Sequence, residues 1–123
     1  MIADMQKWTP NIASIIEHAN QFHPNTEVVS RMVSGNIHKT NYSEVCTRSR
    51  KLASALEKDG YKEGDVIATL ALNTYRHLEM YYGISGMGGI NHTLNFRLHP
   101  EQAVYIINPV SYTHLTLPTI LPV

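Results

Sequence analysis

Val66-Ile67-Ala68-Thr69-Leu70-Ala71-Leu72 is the stretch that decides the fold. It is apolar at almost every position and lacks the in–out alternation of a strand with one wet face. Both faces must be covered, which predicts an internal, parallel strand. Working outward, Asn73 is placed to cap a helix carrying Leu78, Tyr81, Tyr82 and Ile84, and residues 90–94 read as a second strand. On the other side, Asn41 and Glu44 form a capping-box-like pair at the start of a strong helix, with Asn in place of Ser or Thr. Val45, Ser49, Leu52, Ala53 and Leu56 make its buried stripe, and Arg48, Arg50, Lys51, Glu57 and Lys58 its wet side. Gly60 ends it as a left-handed residue just past the helix.

The flanks follow the same logic. Residues 11–21 are predicted to be helical from the spacing of Ile12, Ile15, Ile16 and Ala19, with Pro10 at the entry and His23-Pro24-Asn25 as the break. Residues 27–32 and 36–40 read as two short strands around the turn Ser34-Gly35-Asn36. Pro100 fits the first turn of a last helix, Glu101 suits its positive end, and Val104, Tyr105 and Ile107 are available for burial. Helix, strand, helix, strand, helix predicts an α/β unit: a partial layered sheet with crossover helices.

Composition narrows the function. The 123 residues carry ten Lys and Arg against ten Asp and Glu, so zero net charge gives no electrostatic reason for a nucleic-acid partner. The hydrophobic share of 43% is that of a globular chain rather than a disordered one. A single cysteine, Cys46, excludes an intrachain disulfide and suits a cytoplasmic setting. Asp4, Lys7 and Trp8 interrupt any signal-peptide core. No stretch reaches the roughly 20 apolar residues of a transmembrane helix.

Several motifs invite chemistry. The cluster Gly83-Ile84-Ser85-Gly86-Met87-Gly88-Gly89 suggests a phosphate loop, but a phosphate cradle needs strand, glycines, then helix. Here the helix comes first, so the glycines fall at its negative end and read as a structural turn. The seven histidines show no H-x-H, H-x-x-H or H-x-x-x-H pair, which argues against zinc. Cys46 on a first helical turn reads as a buried thiol rather than a nucleophile. Ser43, Ser49 and Ser54 lack a nucleophile-elbow context. Tyr75, Tyr81 and Tyr82 with Met80 read as packing, with a hydrophobic ligand channel as the alternative. Residues 92–97 follow a strand and either reach a cleft at the sheet's carboxyl end or form a solvated loop turned by Asn91 and Asn95.

Residues 42–108 follow a succession that resembles the N-terminal part of an acyl-CoA synthetase of the adenylate-forming superfamily. Asn41-Tyr42-Ser43-Glu44-Val45 is similar to the family's first core motif, a Thr- or Ser-Tyr-x-Glu-Leu string. Gly60 to Asp65 is similar to the turn into the next strand, and Gly86 to Asn95 to the second core motif. His92-Thr93-Leu94-Asn95-Phe96-Arg97-Leu98-His99-Pro100-Glu101-Gln102 resembles the branch of medium- and long-chain fatty acid and methylmercaptopropionate ligases. The resemblance implies an incomplete N-terminal subdomain of that fold. The implied parent enzyme joins a small carboxylic acid to CoA through an acyl-adenylate, using ATP, CoA and Mg2+, and is compatible with a homodimer. The family's phosphate loop, ribose-binding Asp and catalytic Lys lie downstream of Asn108, so no catalytic, cofactor-binding or metal residue carries over. This stretch alone is expected to be inactive and to bind no cofactor. The reading kept beside it is a small non-enzymatic α/β binding or assembly module.

The tail reads differently. Val110-Ser111-Tyr112-Thr113-His114-Leu115-Thr116-Leu117-Pro118-Thr119 corresponds in frame to GTC TCT TAT ACA CAT CTG ACG CTG CCG ACG, a string that resembles a transposon-type library adapter. The expected organisation is therefore residues 1–108 as the enzyme part and 109–123 as a non-native tail. That tail is expected to form no element of the fold, since Pro118 and Pro122 remove ladder donors.

Overall fold

A computed structural model describes residues 7–107 and 114–116. The chain opens with α1 (Ile12–Phe22), whose N-terminal amide at Ser14 is taken by the Asn11 side chain at 2.8 Å. A hairpin follows, β1 (Glu27–Arg31) antiparallel to β2 (Ile37–Asn41), turning at Gly35 with φ of +84°. α2 (Tyr42–Lys58) starts directly from the hairpin. Asn41 Oδ1 accepts from the Glu44 amide at 2.9 Å, which is half of the expected capping box. The other half is redirected, because Glu44 Oε2 accepts from Thr40 Oγ1 at 2.5 Å.

β3 (Val66–Leu70), α3 (Tyr75–Gly86) and β4 (Ile90–Leu94) form a strand–helix–strand crossover. β3 lies in the middle of a three-stranded parallel sheet, between β4 and β5 (His114–Thr116). Ile67, Ala68 and Thr69 are fully buried, as the unbroken apolar run predicts. The expectation that the tail forms no element is corrected at three residues: His114, Leu115 and Thr116 pair with Ile67, Ala68 and Thr69. The physical reason is that an unpaired edge of β3 offers a row of backbone donors and acceptors. An alternating Thr–Leu segment suits it, and Pro118 falls two residues past the ladder.

α2 and α3 share one face of the sheet. Leu56, Ile67, Met80 and Ile84 form one core, with Leu52, Tyr61 and Met87 against it. Ile16, Val45 and Cys46 form a second core, where α1 closes over α2 beside Leu78 and Tyr82. The helices approach closely at Gly83, where a Cβ would lie 3.0 Å from both the Ser49 carbonyl and Leu52 Cδ2.

Both long helices end in the same way. At α2, the Gly60 amide donates to the Glu57 carbonyl and the Tyr61 amide to the Leu56 carbonyl. At α3, the Gly88 amide donates to Ser85 and the Gly89 amide to Ile84. These are paired Schellman closures, with Gly60 at φ +98° and Gly88 at φ +84°. The turns dock on each other: the Gly64 amide donates to the Gly88 carbonyl at 3.0 Å, and the Ile90 amide to the Asp65 carbonyl at 2.8 Å.

α4 (Pro100–Ile107) departs from expectation. Val104 is 54% and Tyr105 77% exposed, and no residue of the helix is buried. Ala103, Ile106 and Ile107 are half-buried, so the helix is covered on one side only.

Candidate functional site

The carboxyl end of β3 gathers the interior polar chemistry. In a strand, alternate side chains share a face, so Ile67 and Thr69 look toward α3, and the register adds Asn91 of β4 opposite Ile67. Thr69 Oγ1 lies 3.1 Å from Asn91 Oδ1 and 3.4 Å from His77 Nε2 of α3. The hydroxyl donates to the amide oxygen and keeps the imidazole nitrogen within hydrogen-bonding distance. Burial pushes the His77 pKa below its ordinary value. Asn91 Nδ2 is buried without a hydrogen-bond partner. Asn91 sits inside β4, as the strand expected over 90–94 places it, and not in the loop of the alternative reading. Asn95 does turn the loop, its Oδ1 accepting from the Arg97 amide at 2.9 Å.

Beside this relay lies a cavity of about 360 Å³ between β1 and the start of α3, lined in part by Val28, Ser30, Asn73, His77, Leu78 and Tyr81. Asn73 does not cap α3. Thr74 holds that position without a side-chain bond, and Ser30 Oγ of the hairpin accepts from the Tyr75 amide at 2.8 Å. A hydroxyl 45 residues away in sequence has replaced the local cap, so pattern reading could not find it.

The aromatic candidates are dispersed. Tyr75 is buried and stacks on His38 with ring centroids 3.9 Å apart. Tyr75 and Tyr81 both line the cavity, whereas Tyr82 joins the core under α1 and Met80 the core under α2, so only two of the four candidates share it. Cys46 is buried, and its thiol is pushed up by burial and by the neighbouring Glu17 carboxylate. Its Sγ lies 3.8 Å from Glu17 Oε1, a carboxylate already held by Arg50. Ser49 is buried with an unpartnered hydroxyl. The sequence also gave no warning of Glu79, which is buried and holds Arg48 Nε at 2.7 Å. Among the described residues, no group of three or more His, Cys, Asp or Glu is placed to hold a metal ion. The glycine cluster is spent on the Schellman closure of α3, at the carbonyl end of the helix. Its geometry offers carbonyls and not amides to a ligand, which does not fit a phosphate.

Among the described residues no helix is long and apolar enough to cross a membrane. The family described as AMP-binding enzyme matches residues 16–117. The 3-methylmercaptopropionyl-CoA ligase of Ruegeria lacuscaerulensis is 46% identical over 108 residues, which are 88% of this chain and 20% of that protein. The medium-chain-fatty-acid–CoA ligase of Ectopseudomonas oleovorans gives the same identity and coverage. The long-chain-fatty-acid–CoA ligase of Thermus thermophilus is 43% identical over 98 residues, 80% of this chain and 18% of its own. The chain thus spans about a fifth of the length of these relatives. The crystal structure of the anthranilate CoA ligase AuaEII with anthranoyl-AMP superposes with a TM-score of 0.77 at 19% identity, over 93% of this chain and 21% of that one. That likeness shows the fold.

Proposed function

Because the chain belongs to the AMP-binding enzyme family, we propose that it is the N-terminal part of an ATP-dependent acyl-CoA ligase. The parent converts a fatty acid or a related small carboxylic acid, ATP and CoA into acyl-CoA, AMP and diphosphate. The observation that carries this reading is 46% identity, over 88% of the chain, to two CoA ligases with different acids in their names. ATP with Mg2+ would supply an activated acyl-phosphate bond. We assign no residue of this chain to ATP or Mg2+, and route no step of that reaction through it. Their contribution is a frame: β3 paired in parallel with β4, with α2 and α3 packed over it.

The homologues' names differ in acyl group, and the residues here do not choose among them. We place the parent in the cytoplasm, consistent with an unpaired Cys46, and the expected homodimer belongs to the parent as well. Residues 109–123 are proposed to be a non-native tail. The likeness of residues 110–119 to a translated adapter supports this; the family match to residue 117 and the pairing of β5 oppose it.

Extending the parent DNA past codon 108 tests both points. The expected outcome is an open frame that departs from residues 110–123 and runs on to a glycine-rich phosphate loop. The protein made from that frame should form AMP from ATP only with both CoA and a fatty acid or methylmercaptopropionate present. The 123-residue chain should release no diphosphate above background. Turnover by this chain, or an extended frame without ligase activity, overturns the proposal.

A further inference from the structure

A second surface feature has no part in the ligase reading. A groove of about 360 Å³ runs between α2 and α3, lined by Arg48, Lys51, Leu52, Arg76, Glu79 and Met80. Three cations face one carboxylate there, an excess of two positive charges in a chain whose net charge is zero. Glu79 is buried and engages Arg48 through Nε, which anchors that guanidinium at the groove. Arg76 is oriented from the other helix by its bond from Nε to the Tyr75 hydroxyl, 3.1 Å long. The Arg48 and Arg76 guanidinium carbons lie 5.8 and 5.7 Å from the centre of the same Tyr75 ring. Two guanidiniums gathered on one ring repel each other, and Glu79 with Glu44 behind it offsets Arg48 alone. Among the described residues, no carboxylate pairs with Lys51 or Arg76. The floor is apolar: Met80 belongs to the core, and Leu52 packs against it.

We propose that this groove binds a phosphate monoester bearing an apolar or aromatic group. A phosphate monoester carries close to two negative charges at neutral pH, which matches the excess. Guanidinium forks and an ammonium suit its oxygens. Leu52 and Met80 give an apolar substituent a surface that a bare phosphate would leave unused.

The test is a titration of the whole 123-residue chain with 1-naphthyl phosphate at low ionic strength, read by calorimetry and by amide shifts. One saturable site is expected, with shifts at Lys51, Leu52, Arg76 and Met80. The double substitution Lys51→Ala with Arg76→Ala should weaken binding by about tenfold or more, corresponding to ~1.4 kcal/mol. Lys51→Glu alone leaves the Tyr75–Arg76 bond in place and should weaken it by at least about threefold, since exposed charge pairs contribute modestly. Circular dichroism melting establishes that both variants fold. Inorganic phosphate should bind more weakly than the naphthyl ester, and added salt should weaken both. Absence of a saturable site, an affinity indifferent to Lys51 and Arg76 in folded variants, or equal affinity for inorganic phosphate overturns the proposal.

Discussion

α3 and α4 both carry apolar residues to cover and fare differently. α3 buries Tyr75, Glu79, Met80, Gly83 and Ile84 between the sheet and α2. α4 leaves Val104 and Tyr105 largely in water. Periodicity reports that a helix has a face to cover; it does not report that the cover lies in the same stretch of chain. The chain spans about a fifth of its relatives' length, so a face readied for a distant segment has no means of advertising the distance. The strands repeat the lesson: β3 is paired on both sides, whereas β4 sits at the edge of its sheet.

The contrast is broken most severely by charging the packed side. Ile67→Asp places a carboxylate at a fully buried position, and the expected loss exceeds about 4 kcal/mol, enough to unfold a small domain. Unchanged circular dichroism and a retained melting transition would show that β3 is not interior. A milder disturbance is Gly88→Ala. Its φ of +84° disfavours any L side chain, and the new Cβ would stand 2.8 Å from Glu63 Cγ. Glu63 Cβ would also stand 3.3 Å away, so the contact adds to the backbone cost of about 1–2 kcal/mol, measurable by urea unfolding.

Acid sharpens the comparison from within. His77 has its folded pKa held below the ordinary 6.5 by burial. The unfolded chain therefore takes up its proton first as pH falls, so stability present above pH 6.5 is lost progressively toward the folded pKa. Urea midpoints at pH 7.5 and pH 5 should differ more for the native chain than for His77→Gln. An identical difference in both would place the titration elsewhere. The smallest effect belongs to α4: Tyr105→Ser should change stability by no more than about 0.5 kcal/mol while reducing self-association in sedimentation. A larger loss would mean that the α4 face is already covered.

Much of the frame was legible because its signals are local. The unbroken apolar run 66–72 announced the central strand, and Asn41 with Glu44 announced the α2 start. Glycines placed after helical stretches announced both closures, and the same order of elements excluded a phosphate loop. What stayed hidden depends on contacts across the chain. Ser30 takes the amide that Asn73 was expected to serve. Asn91 fell in an expected strand yet was open to a loop reading, because nothing local reveals a buried hydroxyl on the neighbouring strand. The tyrosines share a helix but point to different neighbours, and helical spacing alone does not say which. No catalytic constellation was expected from the residues, and the interior relay of Thr69, His77 and Asn91 came into view only through the parallel register.

The two docked helix closures also set where this chain tolerates being lengthened or cut. Gly64 to Gly88 and Asp65 to Ile90 tie the entrances of β3 and β4 together through main-chain atoms. An extra residue in either turn would slide one strand against the other and expose what the pleat now buries. The hairpin tip is different, since a Cβ added at Gly35 meets nothing within 4 Å. A reporter tag, a protease site or a split point for complementation belongs at that tip, and the same graft at Met87–Gly88 would dismantle the sheet.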